Sequence, residues 1–110
     1  MMGKKNSKKW NRVHEFARKK STPRQVGHPV YVYGKRGQQR KYLTFTHEPE
    51  KGRESDYEKL LHNIDPQEDG KRPSYLKKQY SLSHKDKLRA PDKKYRIHED
   101  DKELIKKYKK

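Results

Sequence analysis

The chain has 110 residues, a length suited to one small domain, and 42% of them are charged. Lysine and arginine outnumber aspartate and glutamate by 31 to 15, which gives a formal net charge of +16. Hydrophobic residues make up only 26%, so the core must be small and must use many of the eight tyrosines. No apolar run approaches the ~20 residues of a membrane span, and the lack of cysteine excludes a disulfide framework. We therefore expect a cytoplasmic protein that does not enter a membrane.

The charge is distributed unevenly along the chain. Residues 1–41 hold 13 lysines and arginines against one acid, whereas residues 42–70 hold three against eight acids. Residues 71–110 are basic again, with 15 against six. Both ends are therefore expected to contact a polyanion, and the acidic middle is expected to face elsewhere. The alternative is a solvated surface that has no polyanionic partner, although a net charge of +16 is roughly twice the charge that a small domain needs for solubility.

The N-terminal region is predicted to contain a mobile arm and a helix. Residues 1–9 have little to bury and are expected to form a flexible basic arm before a single domain over residues 10–110. From Ser7 to Lys20, apolar residues recur at nearly helical spacing, which predicts a short amphipathic helix. Those apolar residues are Trp10, Val13, Phe16 and Ala17. Two prolines then impose an extended connection.

The segment HPVYVYGKRGQQRKYLTFTHEPE has the composition of a β-hairpin, with strands over residues 30–33 and 40–47. Alternation along the strands predicts that the two valines pack against Leu43 and Phe45 in the core. The same alternation groups three tyrosines on the opposite face: Tyr31, Tyr33 and Tyr42. The loop from residue 34 to 39 is predicted to exceed a two-residue turn.

The remaining elements are predicted from shorter patterns. A capping box that begins at Ser55 predicts a helix through about His62. Residues 74–84 and 93–98 are predicted to be strands. Residues 101–110 are predicted to be a helix with a capped start at Asp100 and Glu103, with acids in its first turn and lysines in its last. The predicted fold class is α+β. It comprises a small antiparallel sheet of three or four strands with a central hairpin, and short N-terminal, middle and C-terminal helices.

Tyrosines interleaved with cations on a sheet are typical of single-stranded nucleic-acid binding. Bases stack on aromatic rings at ~1–3 kcal/mol each, and cations neutralise the phosphates. Duplex binding would instead use the loop tip and the flanking helices, and the tyrosines could also form a second buried layer. The residues predicted to contact phosphate are Arg12, Arg18, Lys19, Lys20, Arg24, Lys35, Arg36, Arg40 and Lys41. The residues predicted to stack on bases are Tyr31, Tyr33 and Tyr42.

The sequence contains no motif for a cofactor, a metal or a catalytic centre. Its six histidines lack HxxxH and HExxH spacings, and there is no P-loop and no GxGxxG. A small basic endoribonuclease is an alternative, since it needs a general acid or base and cations around a phosphate. The residue types are supplied by Arg40, Lys41, His47, His84 and Tyr108. A helix followed by an antiparallel sheet also resembles RelE-like toxins, but no motif of that family is matched.

Three segments carry a further resemblance: RKYLTFTHEPE, YEKLLHNIDPQEDGKRPSYLKKQYSLS and PDKKYRIHEDDKELIKKYKK. Over residues 28–110 their order resembles small basic proteins of plasmids, integrative elements and phages of Gram-positive bacteria. In that group a strand ending in Leu-Thr-His precedes an Asn-x-Asp/Pro-x-Asp turn and a strand that starts with tyrosine. Here Phe45 and Thr46 interrupt the Leu-Thr-His pattern. The resemblance implies a mobile-element context, without an assigned activity.

The function that the sequence favours is a non-enzymatic accessory protein that binds the backbone of RNA or DNA. Its partner would be a nucleic acid or a nucleoprotein complex, with no cofactor. One alternative is the RelE-like endoribonuclease toxin. The other is an inhibitor of a host defence nucleoprotein (an anti-CRISPR type), which would cover a nucleic-acid channel or mimic nucleic acid with the acidic residues 48–69.

Overall fold

The computed structural model describes residues 16, 17, 28–89 and 94–110 in full and the backbone of residues 10–12 and 18. Its centre is an antiparallel hairpin of β3 (Pro29–Arg36) and β4 (Gln39–Thr46). Arg36 pairs with Gln39, so the connection is a two-residue turn, and its first residue, Gly37, has a φ of 61°. A positive φ at the first turn position is typical of a type II′ hairpin, which glycine adopts without steric cost.

The hairpin is extended on both sides into a larger sheet. On one side β2 (Phe16–Arg18) pairs antiparallel with the start of β3. On the other side β4 is shared by two strands: β7 (Ser81–His84) pairs with its first half and β6 (Tyr75–Lys77) with its end. A three-residue strand β5 (Tyr57–Lys59) adds to β6. The strand order is β2-β3-β4-β6-β5, with β7 paired to β4.

A second, two-stranded sheet and one helix complete the described part of the chain. The sheet pairs β1 (Trp10–Arg12) with β8 (Arg96–His98) in antiparallel register. A 3-10 turn, Glu99–Asp101, then leads directly into helix α1 (Lys102–Tyr108). Further 3-10 turns lie at Glu54–Asp56, Pro66–Glu68 and Lys85–Lys87. No helix of the described residues is long and apolar enough to cross a bilayer.

The larger sheet carries buried residues on both faces. Register pairs Tyr31 with Leu43 and Val32 with Tyr42, so each pair lies on one face. The main core lies on the Leu43 face, and its buried members are Phe16, Leu43, Phe45, Leu60, Ile64, Leu76, Tyr95, Ile97 and Ile105. A smaller cluster of Ala17, Val30 and Tyr42 lies on the opposite face. The few apolar residues are therefore divided between two thin layers.

The predicted α+β fold class is wrong. Strands dominate the described residues, and α1, with seven residues, is the single α-helix that the described part of the chain contains. Where a helix was predicted from Ser7 to Lys20, the described parts form β1 and β2. Their backbone groups pair with β8 and β3, and such long-range pairing overrides a helical spacing of apolar residues. The predicted middle helix is also absent: a 3-10 turn and β5 occupy its place. The predicted C-terminal helix is confirmed.

The predicted grouping of the hairpin side chains is wrong as well. The two valines share a face with Tyr42, while Tyr31 lies on the face of Leu43 and Phe45. The cause is a bulged residue: the two-residue turn, although shorter than predicted, would by itself still place Val32 opposite Leu43. A bulge between Val32 and Gly34 shifts that register by one residue.

Candidate nucleic-acid interface and a histidine–carboxylate cluster

Cations from three parts of the chain meet at the turn end of the hairpin, which we call the basic end. The hairpin contributes Lys35 and Arg36 near the turn, and Arg40 and Lys41 at the start of β4. The Arg40 guanidinium donates hydrogen bonds to the carbonyl oxygens of Gly37 and Gln39 at 3.1 and 3.0 Å, so it also braces the turn. Its position is thereby fixed relative to the turn.

Strand β7 brings a second set of cations to the basic end. Gln39 of β4 pairs with His84, and Arg40 pairs with Ser83. The backbone N–H of Lys85 donates to the carbonyl of Gln38 at 2.8 Å, which joins the 3-10 turn Lys85–Lys87 to the hairpin turn. The exposed ammonium groups of Lys85 and Lys87 therefore belong to the same end of the molecule.

The C-terminus brings the third set of cations, onto two of the predicted tyrosines. Lys109 Nζ lies 5.4 Å from the ring centre of Tyr31 and 5.9 Å from that of Tyr33, within cation–π range. The same ammonium donates to the Tyr31 hydroxyl at 3.4 Å, and the backbone N–H of Lys110 donates to the Tyr33 hydroxyl at 3.2 Å. The two rings lie 6.2 Å apart and are tilted by 44°.

These groups border a shallow groove of about 360 Å³, which we call the tyrosine groove. Its lining includes Tyr31, Tyr33, Lys35, Arg40 and Lys109. Both tyrosines are half-buried, so each keeps part of its ring accessible while the rest packs on the core. Partial burial raises the pKa of Tyr33, and the Lys110 hydrogen bond opposes this effect. The groove thus combines aromatic surface with positive charge, as base stacking requires.

The cations of the basic end are not neutralised by the carboxylates of the described residues. Within that part of the chain, lysine or arginine lies within 4.0 Å of a carboxylate only at Arg53, Arg72 and Lys94. Those three pair with acids of residues 50–69. One acid, Asp86, lies within the basic end between Lys85 and Lys87, and its carboxylate is 3.4 Å from His84. The positive field of the basic end is therefore left for an outside anion.

Of the remaining predicted site residues, Tyr42 is the one whose side chain is described, and it lies away from the groove. Tyr42 is 2% exposed, lies on the opposite face, and its hydroxyl is 3.0 Å from Ser83 Oγ. Its ring has no surface on which a base could stack, so we leave it out of the interface. Arg12 and Arg18 end β1 and β2, with only their backbone described. The predicted contacts Lys19, Lys20 and Arg24 lie outside the described residues.

The residues considered for an endoribonuclease do not all lie together: Arg40, Lys41 and His84 are at the basic end, whereas His47 is not. Arg40 lies near one end of β4 and His47 follows its other end, a separation of about 20 Å at ~3.3 Å per strand residue. His84 pairs beside Gln39, at the end away from His47. The Tyr108 hydroxyl donates to Glu58 at 2.6 Å, and this hydrogen bond raises the pKa of Tyr108. His47 is therefore too far from Arg40 for both to act on one phosphate.

A second polar constellation, which sequence reasoning missed, surrounds His62. Its Nδ1 lies 2.9 Å from Asp69 Oδ2 and its Nε2 lies 3.0 Å from Asp100 Oδ2. Its ring stacks on that of His98, with centroids 3.5 Å apart and planes within 13°. Partial burial alone would lower the pKa of His62, but its hydrogen bonds to the carboxylates of Asp69 and Asp100 prevail and raise that pKa. The pairing with His62 outweighs burial at Asp69 too and lowers its pKa.

A buried carboxylate anchors the backbone beside this cluster. Asp101 is 2% exposed, and its two oxygens accept the backbone N–H groups of Leu61 at 2.7 Å and His62 at 2.9 Å. Asp69 similarly accepts the N–H of Asn63 at 3.0 Å. These bonds tie the loop after β5 to the turn that starts α1. Since α1 ends at the tyrosine groove, the cluster holds the helix that delivers Lys109.

The cluster also contains possible metal-ligand atoms. One donor atom each from His62, His98 and Asp100 lies within 4.8 Å of the others. However, both nitrogens of His62 face carboxylates, and His98 Nδ1 accepts the N–H of Asp100 at 3.0 Å. Face-to-face imidazoles also aim their lone pairs along parallel planes rather than at one ion. The arrangement favours a protonated His62 held between two carboxylates.

Comparison of the chain with protein-family models, with curated proteins and with solved structures finds no match.

Proposed function

We propose that this protein is a non-enzymatic nucleic-acid-binding accessory protein that works in the cytoplasm. Its basic end contacts the phosphate backbone, and the tyrosine groove offers ring surface to unpaired bases. The observation that carries the proposal is the convergence of cations from the hairpin, the turn after β7 and the C-terminal residues, none of which forms an ion pair with a carboxylate of the described residues. A nucleoprotein complex from a mobile element or its host is the corresponding partner.

The charge separation within the fold supports this proposal. The acids that neutralise arginine or lysine lie in residues 50–69, and further acids gather around His62. Helix α1 starts with acids beside that cluster and ends with lysines at the tyrosines. A polyanion is therefore attracted toward one end of the molecule, which orients it on approach. An even distribution of the net charge would lack this directionality.

The test is a binding titration with labelled RNA, single-stranded DNA and duplex DNA over a salt series. If six phosphates are engaged, the affinity should fall ~10³-fold between 50 and 200 mM salt. Replacing Lys35 and Arg36 by glutamine should weaken binding at low salt and reduce the slope of log K against log salt by about 2. Absence of binding to all three probes at 50 mM salt would refute the proposed function.

A matched control is offered by Lys51 and Arg53, an exposed lysine and arginine in the acidic middle of the chain. The doubly substituted K51Q/R53Q protein has the same net charge as K35Q/R36Q. It should bind nearly as the unmodified protein does, because its substitutions lie away from the basic end. Equal loss of affinity in both variants would show that only the total charge matters and that the basic end is not an interface.

A further inference from the structure

A third tyrosine lies beside the tyrosine groove, on the other side of β4. Tyr80 directly precedes β7, and because β3 and β7 flank β4, the backbones of Tyr31 and Tyr80 are two strand spacings, or about 10 Å, apart. Tyr80 is half-buried and packs against the main core, as Tyr31 and Tyr33 do. Burial raises the pKa of Tyr33, and the nearby Tyr80 adds to that rise. We call Tyr31, Tyr33 and Tyr80 the tyrosine row.

Lysine ammonium groups cover rings along the whole tyrosine row. Lys41 Nζ lies 4.8 Å from the ring centre of Tyr80. The Lys41 backbone pairs with Gly34, which follows Tyr33, and with Leu82 of β7, so this lysine lies between the segments that bear Tyr33 and Tyr80. Lys109 covers the other two rings of the row, at 5.4 and 5.9 Å. Among the described residues, neither ammonium forms an ion pair with a carboxylate.

A lysine on an exposed part of a ring makes a weak contact that a nucleic-acid base can replace. Such a cation–π contact strengthens an association by about two- to fivefold, whereas a base stacked on an aromatic side chain contributes about 5- to 150-fold. The displaced ammonium also gains a charge-assisted hydrogen bond to a phosphate of the same strand. The tyrosine row therefore favours a ligand in which flat rings and anionic groups alternate.

We infer that the tyrosine row is a stacking track for a single strand of nucleic acid, in which bases replace Lys41 and Lys109 on the rings and these lysines move to the phosphates. This assignment rests on the proposed function and deepens it, since it names the single strand as the ligand and adds Tyr80 to the interface. The bases of a duplex stack on one another and present only their edges in the grooves, so a duplex does not occupy the track. It still meets the cations of the basic end.

The first experiment compares strands with and without bases. An oligothymidylate and an oligouridylate of about twelve nucleotides, within the usual site size, are titrated beside an abasic strand of equal length and charge, by fluorescence anisotropy at 50 mM salt. The tighter of the two base-bearing strands should exceed the abasic strand by about fivefold or more, and it identifies DNA or RNA as the ligand. Equal affinity of all three would overturn the track and leave the phosphate contacts standing. Binding of none would refute the proposed function as well.

The second experiment asks whether Tyr80 belongs to the track. Tyr80→Leu keeps an apolar side chain against the core but removes the ring, so it should weaken the base-bearing strand by about fivefold or more and leave the abasic strand unchanged. Tyr80→Phe keeps the ring and should bind as the unmodified protein does. Tyr75→Leu is the matched control, because Tyr75 is also half-buried but pairs at the end of β4 away from the basic end. Equal binding of the base-bearing strand by Tyr80→Leu and by the control would overturn the inference.

A third experiment tests the movement of Lys41 from a ring to a phosphate. Lys41→Gln should reduce the slope of log K against log salt by about 1 for the base-bearing strand, because one fewer counterion is released. Lys51→Gln, an exposed position in the acidic middle of the chain, has the same change in net charge and should keep the slope. An unchanged slope for Lys41→Gln would show that this lysine reaches no phosphate and would refute the exchange.

Discussion

Replacing Asp101 by alanine should destabilise the protein more than the loss of any surface carboxylate. The side chain is 2% exposed and accepts two backbone N–H groups, at 2.7 and 2.9 Å. The alanine variant leaves both donors without an acceptor inside the protein. A hydrogen bond to a charged group contributes ~1.5–3 kcal/mol, so the loss should be about 3–5 kcal/mol. A domain of this size has only ~5–15 kcal/mol in total.

The measurement is urea unfolding at pH 7, followed by far-ultraviolet circular dichroism. Asp101→Asn retains one acceptor oxygen and should fall between the alanine variant and the unmodified protein. Asp86→Ala is the matched control, because its carboxylate is exposed and faces only His84; its effect should stay below about 1 kcal/mol. If D101A lies within 1 kcal/mol of the unmodified protein, the buried carboxylate does not anchor the loop and the account of the cluster is incorrect.

Three further outcomes follow from the structure. In the folded protein the pKa of His62 is raised above 6.5, so the stabilisation by this residue is complete below pH 6.5 and is lost as the pH rises through the folded-state pKa. In urea unfolding between pH 6 and 8, the free energy of unfolding should therefore fall less with pH for His62→Gln than for the unmodified protein. Tyr42→Phe should cost about 1 kcal/mol through the lost contact with Ser83 and leave nucleic-acid affinity unchanged, whereas Tyr33→Ala should lower that affinity. Gly37→Ala should lower the free energy of unfolding by about 1 kcal/mol, because φ is 61° there; a more stable variant would show that the turn has another conformation.

The hairpin and the C-terminal helix were predictable because their signals are local. Alternating β-branched and aromatic residues mark β3 and β4, and acids followed by lysines mark α1. The register within the hairpin was not predictable by the same means. It depends on one bulged residue, Tyr33, which changes which faces meet and which no local pattern marks.

The N-terminal strands and the histidine cluster depend on partners far away in sequence. Phe16 pairs with Tyr31, and Trp10 pairs with His98, so no short window contains both sides of either contact. His62 meets Asp69 seven residues later and Asp100 thirty-eight residues later, at no recognised spacing. Metal-ligand spacings therefore do not indicate the cluster around His62, and the one local signal for it is the run of acids at residues 99–101.

The length of α1 is constrained by the contacts made at both of its ends. The helix begins directly after Asp101, which is hydrogen-bonded to the loop after β5, and the two residues that follow the helix, Lys109 and Lys110, contact Tyr31 and Tyr33. Each added residue would rotate the C-terminal lysines by ~100° and advance them by ~1.5 Å, so an insertion of one residue carries Lys109 around the helix and away from the rings. Three or four residues would restore the angular phase but overshoot the groove by ~5 Å. Insertions and deletions in this helix are therefore confined by geometry at both ends, even though most of its side chains face solvent.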